Sequence, residues 1–322
     1  MATTPQASAH PDREAGRPRV LVAGDANLDL VLRGDVVPRF GQAEQLLDGA
    51  DLVLGSSAGI MAAGLARLGV ETALVARIGD DVFGARTREL LEHAGVDTAS
   101  VAVTDEPTGV SVILSAPDDR AILTLTGALA SLTAAEVEAA LDGATHLHVA
   151  SYFLVPGLAA SLPGTLARAR ERGITTSLDT NWDPAEGWAG VAECLPHLDL
   201  LLPNAQEALA LARALGDEPT DAEDAAAGLA RRGPVVVVKD GAAGGFAVTP
   251  GGALVRAAGL ALDVVDTTGA GDSFDAGFLA AWLEDMPLPG AVRRGAVAGS
   301  LSTRGAGGRG GQATRAELEA HA

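Results

Sequence analysis

The sequence predicts an α/β protein of three layers, a mostly parallel central sheet between two layers of helices, with a small additional β-sheet attached as a lid. Three observations carry that prediction. Short apolar runs alternate with segments of helical apolar spacing along most of the chain, the pattern that builds a parallel sheet covered on both faces. Two stretches, 29–55 and 104–126, break this rhythm with shorter period-2 runs separated by turn residues. A glycine-rich turn late in the chain leads into a helix, the kind of place where such a fold binds an anion.

The elements follow in order. Residues 1–17 are polar and punctuated by Pro and Gly, without the continuous apolar core of a signal peptide, and are predicted to form a disordered tail ahead of one domain over 18–322. RVLVAG (19–24) reads as a buried strand, IMAAGLARLG (60–69) as a helix with a glycine stop, TALVARIG (72–79) as a strand and FGARTRELLEHAG (83–95) as a helix. The alternation resumes with HLHVA, LPGTLARARERG, TTSLD, LDLLLPN, AEDAAAGLARRG and PVVVVKDG. Within the two interrupting stretches, LDLVLRG, QLLDGADLVLG, GVSVILSA and RAILTLTG predict strands of the accessory sheet, placed to close over a ligand crevice. LALDVV, before the glycine turn, reads as a strand running into the helix of DAGFLAAWLED. No internal repeat of 20–50 residues interrupts this order.

Composition narrows the function classes. A formal net charge of −19 repels nucleic acid and anionic lipid, so neither is expected as a partner. No apolar run is long enough to span a bilayer, and a cytoplasmic location is expected. The single cysteine, Cys194, excludes an intrachain disulfide and a cysteine metal cluster, and reads as a buried structural thiol. His146 and His148 have no evident metal-ligand partners and are expected to serve the core or the surface.

Chemistry concentrates in DTTGAGDSF (266–274). Gly269 and Gly271 let the backbone approach a ligand closely, and the helix that follows directs its orphan N–H groups and positive dipole end to the same place. A carboxylate there, Asp272, either caps the helix, worth ~1 kcal/mol, or does chemistry beside the bound phosphate. The turn after the first strand, DANLD, has no dinucleotide fingerprint, and no GxxxxGK[ST] loop occurs, so those routes to nucleotide binding are closed.

Taken together, the motifs resemble the PfkB, or ribokinase-like, family of carbohydrate kinases. DTTGAGDSFDAGF is similar to its C-terminal signature, and GSSAGIMAAGLARLG with ARIGDDVFG to its N-terminal one; LPNAQEA resembles its Asn-x-x-Glu element and VVVVKDGAAGG the strand and turn beside the nucleotide. The resemblance spans roughly 19–308 in the family's order. It implies a ribokinase-like fold that transfers the γ-phosphoryl of ATP to a sugar hydroxyl with Mg2+. Asp272 is then the base and Gly269, Ala270 and Gly271 the anion hole. Asn204 and Glu207 organise Mg2+ and phosphate, although the same pair also reads as a helix capping box. Lys239, Gly241, Gly244 and Thr267 lie along the nucleotide, and Asp266 and Thr268 are candidates for a monovalent cation, K+.

For the sugar, the resemblance points to Asn27 and Asp29 with Asp25 beside them, after the first strand, and to Gly55, Ser56 and Ser57. The chain departs from the family where many members carry an amide, since Ile60 stands there; this weakens ribose as the substrate and leaves the Ser56 and Ser57 hydroxyls to compensate. In SLDTNWDPAEGW, Asp179 and Asn181 order phosphate, water or metal, or form a structural turn, and Arg120 reaches in from the lid. A nucleoside kinase clamping a base with Tyr152, Phe153 and Trp182, and a non-catalytic sugar-binding regulator, are the alternatives. A homodimer joined at the lid edges would cover exposed strands.

Overall fold

The structure is a computed structural model that describes residues 18–116 and 120–321; the predicted tail, 1–17, lies outside the described residues. In chain order the strands are β1 (Arg19–Ala23), β2 (Leu28–Gly34), β3 (Leu47–Leu54), β4 (Glu71–Gly79), β5 (Val101–Thr104), β6 (Val110–Ser115), β7 (Arg120–Leu125), β8 (His146–Val149), β9 (Thr175–Leu178), β10 (Leu200–Leu201), β11 (Val235–Lys239), β12 (Gly245–Val248) and β13 (Leu254–Ala257). Nine form one sheet in the order β13-β12-β11-β10-β9-β8-β1-β4-β5, parallel from β5 through β11, with β12 and β13 antiparallel at one edge. The other four form a separate sheet, β3-β2-β6-β7, and lie within the two segments that break the sequence rhythm, apart from Leu28 at the start of β2.

Strands buried on both faces explain the apolar runs. Val20 and Val22 of β1 join a core with the helices Ser57–Arg67, Ala270–Leu283 and Leu288–Ser302, while Leu21 and Ala23 join the opposite core with Leu162–Glu171, Ala205–Ala214 and Ala222–Ala230. Each fully buried leucine, such as Leu147, stabilises this packing by about 2 kcal/mol. Chain order reverses at β1, which runs between β8 and β4, so the crevice outside its carboxyl end is a topological switch point. Asp25, Ser151, Asp179 and Asn204 follow the carboxyl ends of β1, β8, β9 and β10, and Lys239 ends β11.

One element departs from its sequence pattern. LALDVV is not a strand: residues 258–266 are irregular, and Leu262, Val264 and Val265 are exposed. The N–H groups of Val265 and Asp266 donate to the Thr303 carbonyl at 2.8 and 3.2 Å, at the end of the Leu288–Ser302 helix. Backbone satisfaction by a helix end removes the need for a ladder, so the apolar run crosses the surface instead. Among the described residues no helix is long and apolar enough to cross a membrane.

Candidate active site

The Ala270–Leu283 helix starts from Gly269, whose φ of 69° places it in the left-handed region. A side chain there would also meet the Gly308 backbone, since a Cβ would sit 2.7 Å from its Cα. The Ala270 N–H closes the turn on the Thr267 carbonyl at 3.2 Å, and Ser273 N–H donates to Gly269 O at 2.9 Å. That leaves the Gly271 and Asp272 N–H groups at the open end of the first turn, so the donor set is shifted from the predicted Gly269–Ala270–Gly271 run. Thr267 is exposed on the outside of the turn.

Asp272 does not cap its helix. Its Oδ1 accepts from the Ser57 hydroxyl at 2.5 Å, across the crevice from the Ser57–Arg67 helix. Although it sits at a helix start, burial pushes this carboxyl up to about 8, against the Ser57 hydrogen bond, with Asp179 adding repulsion.

The predicted sugar residues gather on the other side of the crevice. Asn27 and Asp29 are buried side by side, with Asn27 Nδ2 donating to Asp29 Oδ1 at 3.2 Å and to Ser111 Oγ, on β6 of the small sheet, at 3.4 Å. Burial, with the Asp25 charge, pushes Asp29 up to about 7. Gly55 must lack a side chain because a Cβ would fall 2.1 Å from Asp29 Oδ1. Asp25 accepts from Ser57 N at 3.2 Å and Ala58 N at 2.9 Å, tying it to the start of the Ser57–Arg67 helix; burial raises it. Ser56 is corrected from a sugar ligand to an N-cap: its Oγ accepts from Gly59 N at 3.1 Å. Ile60 is buried behind the turn, so no amide replaces the missing one.

Lys239 is also corrected. Its side chain, 10% exposed, turns inward, and Nζ donates to Asp179 Oδ2 at 2.7 Å, Asp275 Oδ2 at 2.9 Å and Leu202 O at 2.6 Å. Burial opposes its charge, but Asp179 and Asp275 hold it protonated well above the usual lysine range. Two carboxylates around one cation cannot both ionise cheaply. Burial, against the pull of Lys239, and the Asp179 charge push Asp275 far up, whereas Lys239 overrides burial to keep Asp179 low. Of the two carboxyls around Lys239, Asp179 is the one favoured as the ion and Asp275 the one whose ionised form is disfavoured. The signal that would have found Asp275 is its place three residues after Asp272, one helical turn on.

Asn204 and Glu207 form the capping box: Asn204 Oδ1 accepts from Gln206 N and Glu207 N at 2.9 Å each, and Glu207 Oε2 accepts from Asn204 N at 2.8 Å. Burial, with repulsion from Asp179, pushes Glu207 up to about 7. Gly244 is structural, since a Cβ would lie 2.3 Å from Ala257 O; Gly241, at φ 54°, faces open space. Asp266 Oδ1 accepts from Thr268 N at 2.8 Å and its Oδ2 from Gly307 N at 2.9 Å, and Thr268 Oγ1 accepts from Arg120 at 3.0 Å. That Arg120 contact joins β7 of the small sheet to the glycine turn. Among the described residues no three His, Cys, Asp or Glu side chains converge as a metal-binding group.

The remaining residues stay in the frame. His146 and His148 bond Ser177 Oγ at 2.7 Å each, and burial drives His148 down to about 3. Cys194 is buried, its thiol pushed up to about 12. Tyr152 and Phe153 pack edge-on, Phe153 on Trp188 and Trp188 on Trp182, and of these Trp182 is the exposed one, at 47%.

Residues 19–315 match the family described as pfkB family carbohydrate kinase. An ATP-dependent ribose-1-phosphate kinase of Halopiger xanaduensis is 34% identical over 300 residues, covering 90% of this chain and 94% of that protein. A ribokinase of Haemophilus influenzae is 28% identical over 311 residues, covering 94% and 97%. A solved ribokinase from Thermotoga maritima is 26% identical with a TM-score of 0.80, covering 94% of this chain and 98% of that one. With a nine-stranded sheet, an open helix end beside a carboxylate and this match over most of its length, the chain belongs to the pfkB family of carbohydrate kinases.

Proposed function

We infer that the protein transfers the γ-phosphoryl group of ATP to a hydroxyl of a sugar or sugar phosphate, with Asp272 as the base. The observation that carries this reading is Asp272 itself: a carboxylate beside free helix N–H donors that is bonded to a hydroxyl rather than to its own helix end. The phosphoryl transition state is loose and rich in charge, so fixed donors around its equatorial oxygens matter more than a strong base. The Gly271 and Asp272 N–H groups supply them, while Asp272 orients the acceptor hydroxyl and takes its proton as the bond to phosphorus forms. Mg2+, when bound with ATP, neutralises phosphate charge; Glu207 and Asn204, at the rear of the crevice, are the side chains placed to order its water.

Asn27, Asp29 and Asp25 hold the acceptor by its hydroxyls, a selection that rejects analogues lacking them. Arg120 and Ser111 bring the small sheet to the same crevice, which makes that sheet the lid. Its exposed Leu52, Ile122, Leu123 and Leu125 would be covered in a homodimer joined through the lids. The name of the relative that is 34% identical, an ATP-dependent ribose-1-phosphate kinase, supports including sugar phosphates beside free sugars among the acceptors.

ADP release over a panel of pentoses, hexoses, sugar 1-phosphates and nucleosides, with Mg·ATP, tests the reading. Turnover with a sugar or sugar phosphate supports it. Turnover with nucleosides alone makes Trp182 a base clamp, and binding without any turnover makes the protein a sensor; either result overturns the proposal.

A further inference from the structure

We propose that Ser57 and Asn181 are positioning residues that aim the Asp272 carboxylate at the acceptor hydroxyl and couple it to the sugar-binding carboxylate Asp25. The inference rests on Asp272 being the base.

A run of hydrogen bonds carries it. Asn181 Oδ1 accepts from the Ser151 backbone N–H at 2.8 Å and from Ser151 Oγ at 3.3 Å. A backbone N–H can only donate, so the amide orientation is set and Nδ2 must face Ser57, to whose Oγ it donates at 2.7 Å. With its oxygen accepting from the amide, the Ser57 hydroxyl directs its one hydrogen to Asp272 Oδ1, 2.5 Å away. Asp272 Oδ2 has no partner among the described residues and is the oxygen left for the acceptor. On the other side Ser57 is tied to Asp25, which accepts from Ser57 N at 3.2 Å and Ala58 N at 2.9 Å.

The backbone is built around this brace. Asn181 and Ser151 both hold left-handed conformations, with φ of 55° and 57°, at the carboxyl ends of two neighbouring strands. Asn tolerates that region better than most residues, and such strain persists where the surroundings over-determine it. The Asn181 N–H is fixed in turn by Asp179 Oδ1 at 3.1 Å.

The charged groups facing Asp272 are Lys239 from β11, Asp179 from beyond β9, and Asp25 from beyond β1. None of them is altered by changing Ser57, so its contribution can be read separately. A hydroxyl donating to the ionised carboxylate favours that form; its removal raises the proton affinity of Asp272 and moves the acid limb of the rate to higher pH.

The test uses the full-length protein with Mg·ATP and ribose 1-phosphate as the first acceptor tried, or whichever panel member turns over. Ser57→Ala, Ser57→Thr, Asn181→Gly and the double variant Ser57→Ala/Asn181→Gly are compared for kcat and KM against pH. The Asp272 carboxyl is also titrated by carbon NMR, its signal assigned by its loss in Asp272→Asn. Ser57→Ala is expected to lower kcat about tenfold or more at neutral pH, leave the acceptor KM within a few-fold, and raise the Asp272 midpoint by about one unit. Ser57→Thr, which keeps the hydroxyl, restores both, and the double variant loses little beyond Asn181→Gly. An unmoved midpoint and acid limb in Ser57→Ala, or a raised acceptor KM with unchanged kcat, would overturn the brace and make Ser57 a structural residue or a sugar ligand. Turnover surviving in Asp272→Asn would instead remove the base reading on which the brace rests.

Discussion

Two ionisable side chains in the crevice occupy similar settings and do different work. Asp272 is partly buried without a cation of its own, so its carboxylate is costly, while the Lys239 side chain is buried with Asp179 and Asp275 and is stabilised as a charge. For Asp272 the base form exists only above its pKa, which lies near 8, so kcat/KM of the free enzyme should rise with pH through 7–9 and fall as pH drops through that value. Asp272→Asn should lower kcat about 10²–10⁴-fold with ATP affinity retained. Because a folded-state pKa above the unfolded one makes the charged form destabilising as pH rises, the same variant should melt no lower than the parent above pH 8. Calorimetry and steady-state rates across pH check both arms, and turnover within a few-fold of the parent would return Asp272 to a capping role. Lys239→Met leaves Asp179 buried without its counter-charge and is expected to cost about 3–5 kcal/mol at neutral pH, with a smaller deficit in acid where Asp179 can protonate. Urea unfolding measures it; a weakened ATP affinity at unchanged stability would restore Lys239 to the nucleotide.

At the scale of elements, polar side chains at strand ends hold helix starts, and the same groups line the site. Asn204 and Glu207 cap the Ala205–Ala214 helix in full, while Asp25 takes the first N–H groups of the Ser57–Arg67 helix. The two roles are separable by measurement. Asn204→Ala should cost about 1 kcal/mol of stability through the lost cap. If the pair also orders Mg2+, the variant will need more Mg2+ for half-maximal rate; an unchanged requirement with the full stability loss would leave the pair as a cap alone. In the irregular 258–266 segment the Leu288–Ser302 helix satisfies the backbone that a strand would have paired, through its terminal Thr303 carbonyl and through the Ser300 and Arg293 side chains, which bond Leu260 N and Ala258 O.

At the scale of the whole molecule, the small sheet meets the large one's crevice through side chains, Asn27 with Ser111 and Thr268 with Arg120. A sheet anchored at those points can close over an acceptor and exclude the water that would otherwise receive the phosphoryl group. Acceptor binding should therefore protect amides of β2, β3, β6 and β7 from hydrogen exchange, and ATP hydrolysis without acceptor should be slow. Equal exchange in those strands with and without acceptor, while the Asp272 turn responds, would make the small sheet a fixed platform. Its exposed leucines and isoleucine predict that sedimentation gives a dimer and that Leu123→Asp shifts it toward monomer.

The alternation of apolar runs determined the layers, because a strand buried on both faces and a helix buried on one leave different spacings in the chain. The breaks in that rhythm located the small sheet, and a glycine before a helical segment marked the candidate anion turn, where Gly269 holds a left-handed conformation that disfavours most side chains. Local pattern also carried the Asn204–Glu207 box, whose partners are three residues apart. What only the tertiary structure decided depends on long-range neighbours. Lys239 follows a strand like a nucleotide ligand, yet Asp179 and Asp275, 60 and 36 residues away, draw it inward. Ser57 and Ser56 look alike in sequence, but one caps a helix and the other meets Asp272 across 215 residues. LALDVV has the composition of a strand, but the N–H of Val265 and that of the following Asp266 pair with the Thr303 carbonyl at a helix end. A residue's own chemistry states which bonds it can make; the fold decides which partner is near enough, and how dry the space between them is, and those two quantities set the charge and direction of every group in the site.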